Sequence, residues 1–126
     1  LRSADAAEQA LIDERELTAF TMPDIDRRGI TAVVEEALDV ATDGVEAIHL
    51  SLDLDWLDPT EAPGVGTPVR GGVTYREAHA AMEQVAATDA VRSLDLVEVN
   101  PTLDTHNETA ELATELAASA LGKRIL

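Results

Sequence analysis

Two aspartates, Asp53 and Asp55, are the side chains best spaced to act together. They close the run Ile48-His49-Leu50-Ser51-Leu52-Asp53-Leu54-Asp55, in which apolar and polar residues alternate. That alternation is the pattern of a pleated strand, whose residues i and i+2 project to one side. Both carboxylates can therefore converge where the strand gives way to a loop, an arrangement that suits a hard divalent cation. Aspartates at strand ends also cap turns, and spacing alone leaves both readings open. A calcium-loop reading fails, because the sixth and twelfth positions counted from Asp53 hold Asp58 and Gly64 where Gly and Glu are needed. A further carboxylate, Glu98, lies near the end of a second apolar run, Val91 to Val99, which the turn dipeptide Asn100-Pro101 stops.

The histidines read differently from one another. His49 precedes the aspartate pair on the strand and is expected to be a satisfied core histidine. His79 falls on a helix flank and is expected in solvent. His106 follows Glu98 in a loop near the mouth of the candidate site, where a substrate-facing role is open. No cysteine is present, which removes disulfides, thiolate chemistry and cysteine zinc sites.

These residues need elements to hold them. Ser3 to Glu16 reads as a short helix with Ser3 as its N-cap, and Leu17 to Thr21 as a short strand ended by Pro23. Asp24 to Gly29 reads as a polar connection. Ile30, Val33, Val34, Ala37, Leu38 and Ala41 follow a helical stripe, closed by Asp43-Gly44. The aspartate-bearing strand follows, from about Val45. Trp56 to Val73 is a long loop stiffened by Pro59, Pro63 and Pro68, which favours a shaped wall beside the aspartates. Thr74-Tyr75-Arg76-Glu77 matches a capping box that opens a helix with Ala78, Ala81, Met82, Val85 and Ala86 inward. After the Val91–Val99 strand, a last helix begins at Asn107 or Thr109, with Leu112, Ala113, Leu116, Ala117, Ala120 and Leu121 inward. The order αβαβαβα, with helices long enough to cross over, implies parallel strands covered on both faces. In such sheets ligands sit at the carboxyl ends of strands. The Asp53/Asp55 end and the Glu98 end face that side together.

The chain has 126 residues, enough for one small domain or part of a larger one, and begins with Leu1. We expect a C-terminal portion whose upstream half is absent. With 25 acidic and 9 basic residues the net charge is −16, which repels nucleic acid and anionic membranes. No apolar run approaches the ~20 residues that a membrane span needs. A dense acidic surface on a periodic, foldable sequence fits a halophile's cytoplasm, where salt screens self-repulsion.

Ser51-Leu52-Asp53-Leu54-Asp55-x-x-Asp58-Pro59, followed by Ala62-Pro63-Gly64, Gly66-Thr67-Pro68-Val69 and Gly71-Gly72, resembles the C-terminal signature of the ureohydrolases, the arginase and agmatinase family. The resemblance continues through Thr74-Tyr75-Arg76-Glu77 and Leu94-Asp95-Leu96-Val97-Glu98-Val99-Asn100-Pro101. It implies a three-layer α-β-α fold with a parallel sheet, of which residues 1–126 would be the C-terminal part of a single domain. It also implies two Mn²⁺ ions, with Asp53 bridging both and Asp55 holding one. A hydroxide shared by the ions would attack the guanidinium carbon of L-arginine, giving L-ornithine and urea. Glu98 matches the family's guanidinium-binding glutamate, and Thr67 a pocket threonine that supports this grip; a plain turn role before Pro68 is the other reading of Thr67.

No catalytic acid or base is assigned here, because the family's histidine ligands and proton-shuttling histidine occur upstream. Arg76 and Glu77 match positions near subunit contacts, and the resemblance implies a homo-oligomer, a trimer or hexamer, although capping alone is a sufficient role for Glu77. Tyr75-Arg76-Glu77 and Glu98-Val99-Asn100-Pro101 look more like arginase, since agmatinases more often carry Glu-Val-Ala-Pro. Agmatine, another guanidino compound, or a non-catalytic homologue remain the alternatives. Trp56 departs from the small residue usual after the second aspartate, and Asp95, mid-strand, needs a structural partner.

Overall fold

The computed structural model describes Arg2 and residues 4–124. In chain order the elements are α1 (Ala6–Glu14), α2 (Met22–Arg28), α3 (Ile30–Thr42), β1 (Ile48–Asp53), a single 3₁₀ turn (Leu54–Trp56), α4 (Tyr75–Ala87), β2 (Val91–Val97) and α5 (Glu108–Ala120). The architecture is α/β. β1 and β2 pair in parallel, and α4 makes the crossover between them. Helix neighbours run α2–α3–α4–α5. The core joins Ile30 and Val33 of α3, Leu52 and Leu54 at the end of β1, Ala78, Ala81, Met82 and Val85 of α4, and Leu112, Ala113, Leu116 and Ala120 of α5. Leu57, Ala62, Val65 and Val73 of the long loop are buried in the same cluster, so that loop is part of the core.

The strong helical stripes behave as expected. Thr74 caps α4, with its hydroxyl and amide both donating to Glu77 at 2.8 Å. The weak N-terminal elements do not. Ser3 lies outside the described residues, and the N-cap of α1 is Asp5, whose carboxylate accepts from the Ala7 and Glu8 amides. Leu17–Thr21 is not a strand, and Asp24–Gly29 is not a loop. Thr21 instead caps α2, and the Asp24 carboxylate accepts from the Thr21 amide at 2.8 Å and hydroxyl at 2.6 Å. Pro23 starts that helix rather than stopping a strand, since the first turn has no use for its missing N–H. The observed order is therefore αααβαβα in place of αβαβαβα. At the other end, Leu121 lies beyond α5 and is exposed, because Gly122 at φ 103° turns the chain away.

Two histidines exchange their expected places. His49 is on the exposed face of β1, sharing a hydrogen bond with the Ser93 hydroxyl at 2.7 Å and lying 3.4 Å from the Asp95 carboxylate. Asp95 is itself exposed on that face, so it does not need the structural partner expected of a covered mid-strand carboxylate. His79 is fully buried between α4 and α5, with Nδ1 sharing a 2.8 Å hydrogen bond with the Ser119 hydroxyl and its ring against Tyr75. The alternation itself sets His49 on the polar face with Ser51, so its exposure follows the strand pattern and the expectation of a core histidine does not. Among the described residues the helices cover the Leu52 and Leu54 side, while His49, Ser51, Ser93 and Asp95 are exposed.

Candidate metal centre

The ladder sets the geometry. Leu52 pairs with Leu96 and Asp53 with Val97, so the last residue of β1 lies beside the residue before Glu98. Because the strands are parallel, both carboxyl ends open on one side. Just past β1 the chain tightens into the 3₁₀ turn, and the Asp53 carboxylate accepts from the Asp55 amide at 2.9 Å. Burial first, and then the neighbouring Asp55 charge, push the Asp53 carboxyl above the ordinary carboxylate range, against that amide. Two partly buried carboxylates held this close gain from a cation between them.

The long loop is braced at its base and along its length. Leu57 bridges Val73; the Val73 amide donates to the Trp56 carbonyl at 3.2 Å, and the Asp58 amide to the Val73 carbonyl at 3.0 Å. The Asp58 carboxylate accepts from the Thr60 amide and hydroxyl and, across the loop, from the Gly71 amide at 2.8 Å. Those bonds, Thr60's first, hold Asp58 down at a pKa of about 2. Further along, Val65 bridges Val99, the Asn100 amide donates to the Gly64 carbonyl at 2.7 Å, and the Gly64 amide to the buried Thr109 hydroxyl at 2.7 Å. A Cβ on Gly64 would run into Asp104, whose carboxylate accepts from the Thr109 and Ala110 amides at the start of α5.

That bracing delivers Gly66 and Thr67 to the strand ends. The Thr67 hydroxyl donates to the Asp55 carboxylate at 3.3 Å, and a Cβ on Gly66 would stand 3.3 Å from Glu98 Oε2. Asp53, Asp55, Thr67 and Glu98 thus gather at one edge. Glu98 itself is exposed and has φ 69°, a left-handed backbone that side chains seldom adopt. His106, also left-handed at φ 53°, is exposed in the loop before α5, where no contact ties it to the aspartates. Trp56 is half-buried against the core, so its bulk serves packing.

Sequence reasoning missed Arg2, whose guanidinium donates to the backbone carbonyls of Asp55 and Trp56. No local pattern around Arg2 signals this contact with a loop more than fifty residues away. Among the described residues no group of three or more His, Cys, Asp or Glu side chains could hold a metal ion. Asp53 and Asp55 are a pair of hard oxygen donors, the chemistry Mn²⁺ accepts.

Residues 1–122 match the family model described as the arginase family. The chain belongs to the arginase family. It is 53% identical to the arginase of Bacillus subtilis over 125 residues, which is 99% of this chain and 42% of that protein. The crystal structure of arginase from Bacillus caldovelox superposes with a TM-score of 0.96 at 47% identity, covering all of this chain and 42% of that one. Formimidoylglutamase from Bacillus subtilis shares the fold at TM-score 0.89 and 30% identity, over 95% of this chain and 38% of that one. The chain therefore spans about two fifths of the length of the arginases it matches, and its parallel sheet flanked by helices is arginase-like.

Proposed function

We propose that this chain is the C-terminal part of a manganese-dependent ureohydrolase of the arginase type, which hydrolyses L-arginine to L-ornithine and urea. The observation that carries this reading is the convergence of Asp53, Asp55, Thr67 and Glu98 at the carboxyl ends of two parallel strands. Asp53 and Asp55 would hold Mn²⁺, with the remaining ligands supplied by the rest of the complete enzyme. When bound, the ions supply Lewis acidity and make water nucleophilic at neutral pH. Glu98, exposed at the strand end, presents a carboxylate whose two oxygens accept paired N–H bonds from a planar guanidinium. Thr67 steadies the Asp55 carboxylate through its hydroxyl. The left-handed turn at Glu98 aims that carboxylate, a cost in backbone strain that function accounts for.

The acidic surface supports a cytoplasm of high salt, and the family match supports a homo-oligomer, a trimer or hexamer. Agmatine is the second substrate reading. The Glu98-Val99-Asn100-Pro101 sequence favours arginine, and the B. subtilis and B. caldovelox arginases support that choice. The test is Glu98→Gln in the complete enzyme. Turnover should fall and KM rise while Mn²⁺ content stays at the wild-type value. Unchanged kcat/KM would remove Glu98 from the substrate site.

A further inference from the structure

Arg2 reaches the metal-ligand loop from the far end of the sequence. One terminal nitrogen of its guanidinium donates to the Trp56 carbonyl at 2.9 Å, and the other donates to the Asp55 carbonyl. Both carbonyls sit at the exit of the 3₁₀ turn, where a helix runs out of amides to pair with them. The Trp56 carbonyl also accepts from the Val73 amide, the bond that closes the base of the long loop. Arg2 therefore lands where the strand end, the turn and the loop meet. Gly72 leaves the room for it: a Cβ there would collide with the guanidinium and with the Leu57 backbone. Arg2 Nε is buried without a hydrogen-bond partner, a desolvation cost that the fork onto two carbonyls must offset.

We propose that Arg2 is a positioning residue for the metal centre: its guanidinium, forked across the Asp55 and Trp56 carbonyls, fixes the turn that aims the Asp55 carboxylate. The proposal rests on the reading of Asp53 and Asp55 as Mn²⁺ ligands. The residue type suits the task. A planar guanidinium can donate to two neighbouring carbonyls at once with little entropy lost per bond, whereas a lysine ammonium is a point donor on a flexible stem. The span from the Asp55 carbonyl to its own carboxylate is a few covalent bonds, so a carbonyl held in place limits where the carboxylate can go. Thr67 holds that carboxylate from the opposite end.

The test uses the complete enzyme, with Mn²⁺ affinity measured by equilibrium dialysis and urea release followed against Mn²⁺ concentration. Arg2→Ala should weaken Mn²⁺ binding ~10–100-fold, the usual effect of removing a group that orients a ligand. Excess Mn²⁺ should restore its urea release, with KM for the guanidino substrate unchanged. Arg2→Lys should fall between the two. Wild-type Mn²⁺ affinity in a folded Arg2→Ala or Arg2→Lys enzyme would overturn the proposal. So would an activity loss that Mn²⁺ does not restore and that comes only with a lower melting temperature. Should the alanine enzyme not fold, the lysine enzyme decides. Asp53→Ala run alongside separates the two levels: if it loses Mn²⁺ while the Arg2 variants keep it, only the role of Arg2 fails. If Asp53→Ala keeps wild-type Mn²⁺, the ligand reading fails and takes this proposal with it.

Discussion

At Glu98 the backbone sits at φ 69°, a conformation that costs a non-glycine residue ~1–3 kcal/mol. The residue is exposed, so burial does not offset this, and the strain is retained where carboxylates gather. Stability and function should then separate at this position. Glu98→Gly is expected to hold or raise the melting temperature while turnover is lost; a thermal melt beside a urea assay checks both. Gly64 is the opposite case. Its missing Cβ is the space that Asp104 occupies, so Gly64→Ala should destabilise by about 1–3 kcal/mol, read from denaturant midpoints. The types and places of Asp53, Asp55, Thr67 and Glu98 were legible in the sequence. That the Asp53/Asp55 and Glu98 ends share one side was legible too, but the register that pairs Asp53 with Val97 and the seating of Gly66 against Glu98 were not, since they are tertiary facts.

Among the elements, legibility followed the length of the signal. The stripes of α3, α4 and α5 extend over several turns, and the Thr74/Glu77 box marks the start of α4 unambiguously. Helix α2 is seven residues long with Ile25 as its buried residue, too little for periodicity to register, and Pro23 read as a stop hid its start. His79 was misplaced for a related reason: a residue on a helix flank is buried only if a neighbouring helix closes over it, as α5 does over His79. That burial has a pH consequence. Desolvation lowers the His79 pKa, outweighing the pull of Glu115 and Glu83, with Arg76 and Lys123 adding to the lowering. The folded state therefore binds its proton less readily than the unfolded chain. The stabilisation is complete above the unfolded value of ~6.5 and is lost as pH falls below it. The melting temperature should drop on acidification from pH 7 towards 5, and less steeply in His79→Gln. An identical slope in the two proteins would contradict this account of the α4–α5 contact.

For the whole molecule, two features set the expectations. The first is charge. A net −16 on 126 residues is self-repulsive at low salt, and added salt screens it. The melting temperature should climb as KCl is raised from about 0.1 M, where the screening length is ~10 Å, towards about 1 M, where it is ~3 Å. A flat response would count against the high-salt reading. The second is incompleteness of the site. Among the described residues no third His, Cys, Asp or Glu joins the two carboxylates, and a chain spanning two fifths of the arginases it matches should bind Mn²⁺ weakly. The 126 residues alone should release no urea. Family and fold follow from the match over residues 1–122. The measurement that tests the central claim most directly is urea release by the complete protein, supplied with Mn²⁺ in near-molar salt, on L-arginine and agmatine side by side. The account predicts urea from L-arginine. Urea from agmatine alone would contradict the choice of substrate, and urea from neither would contradict the arginase reading itself.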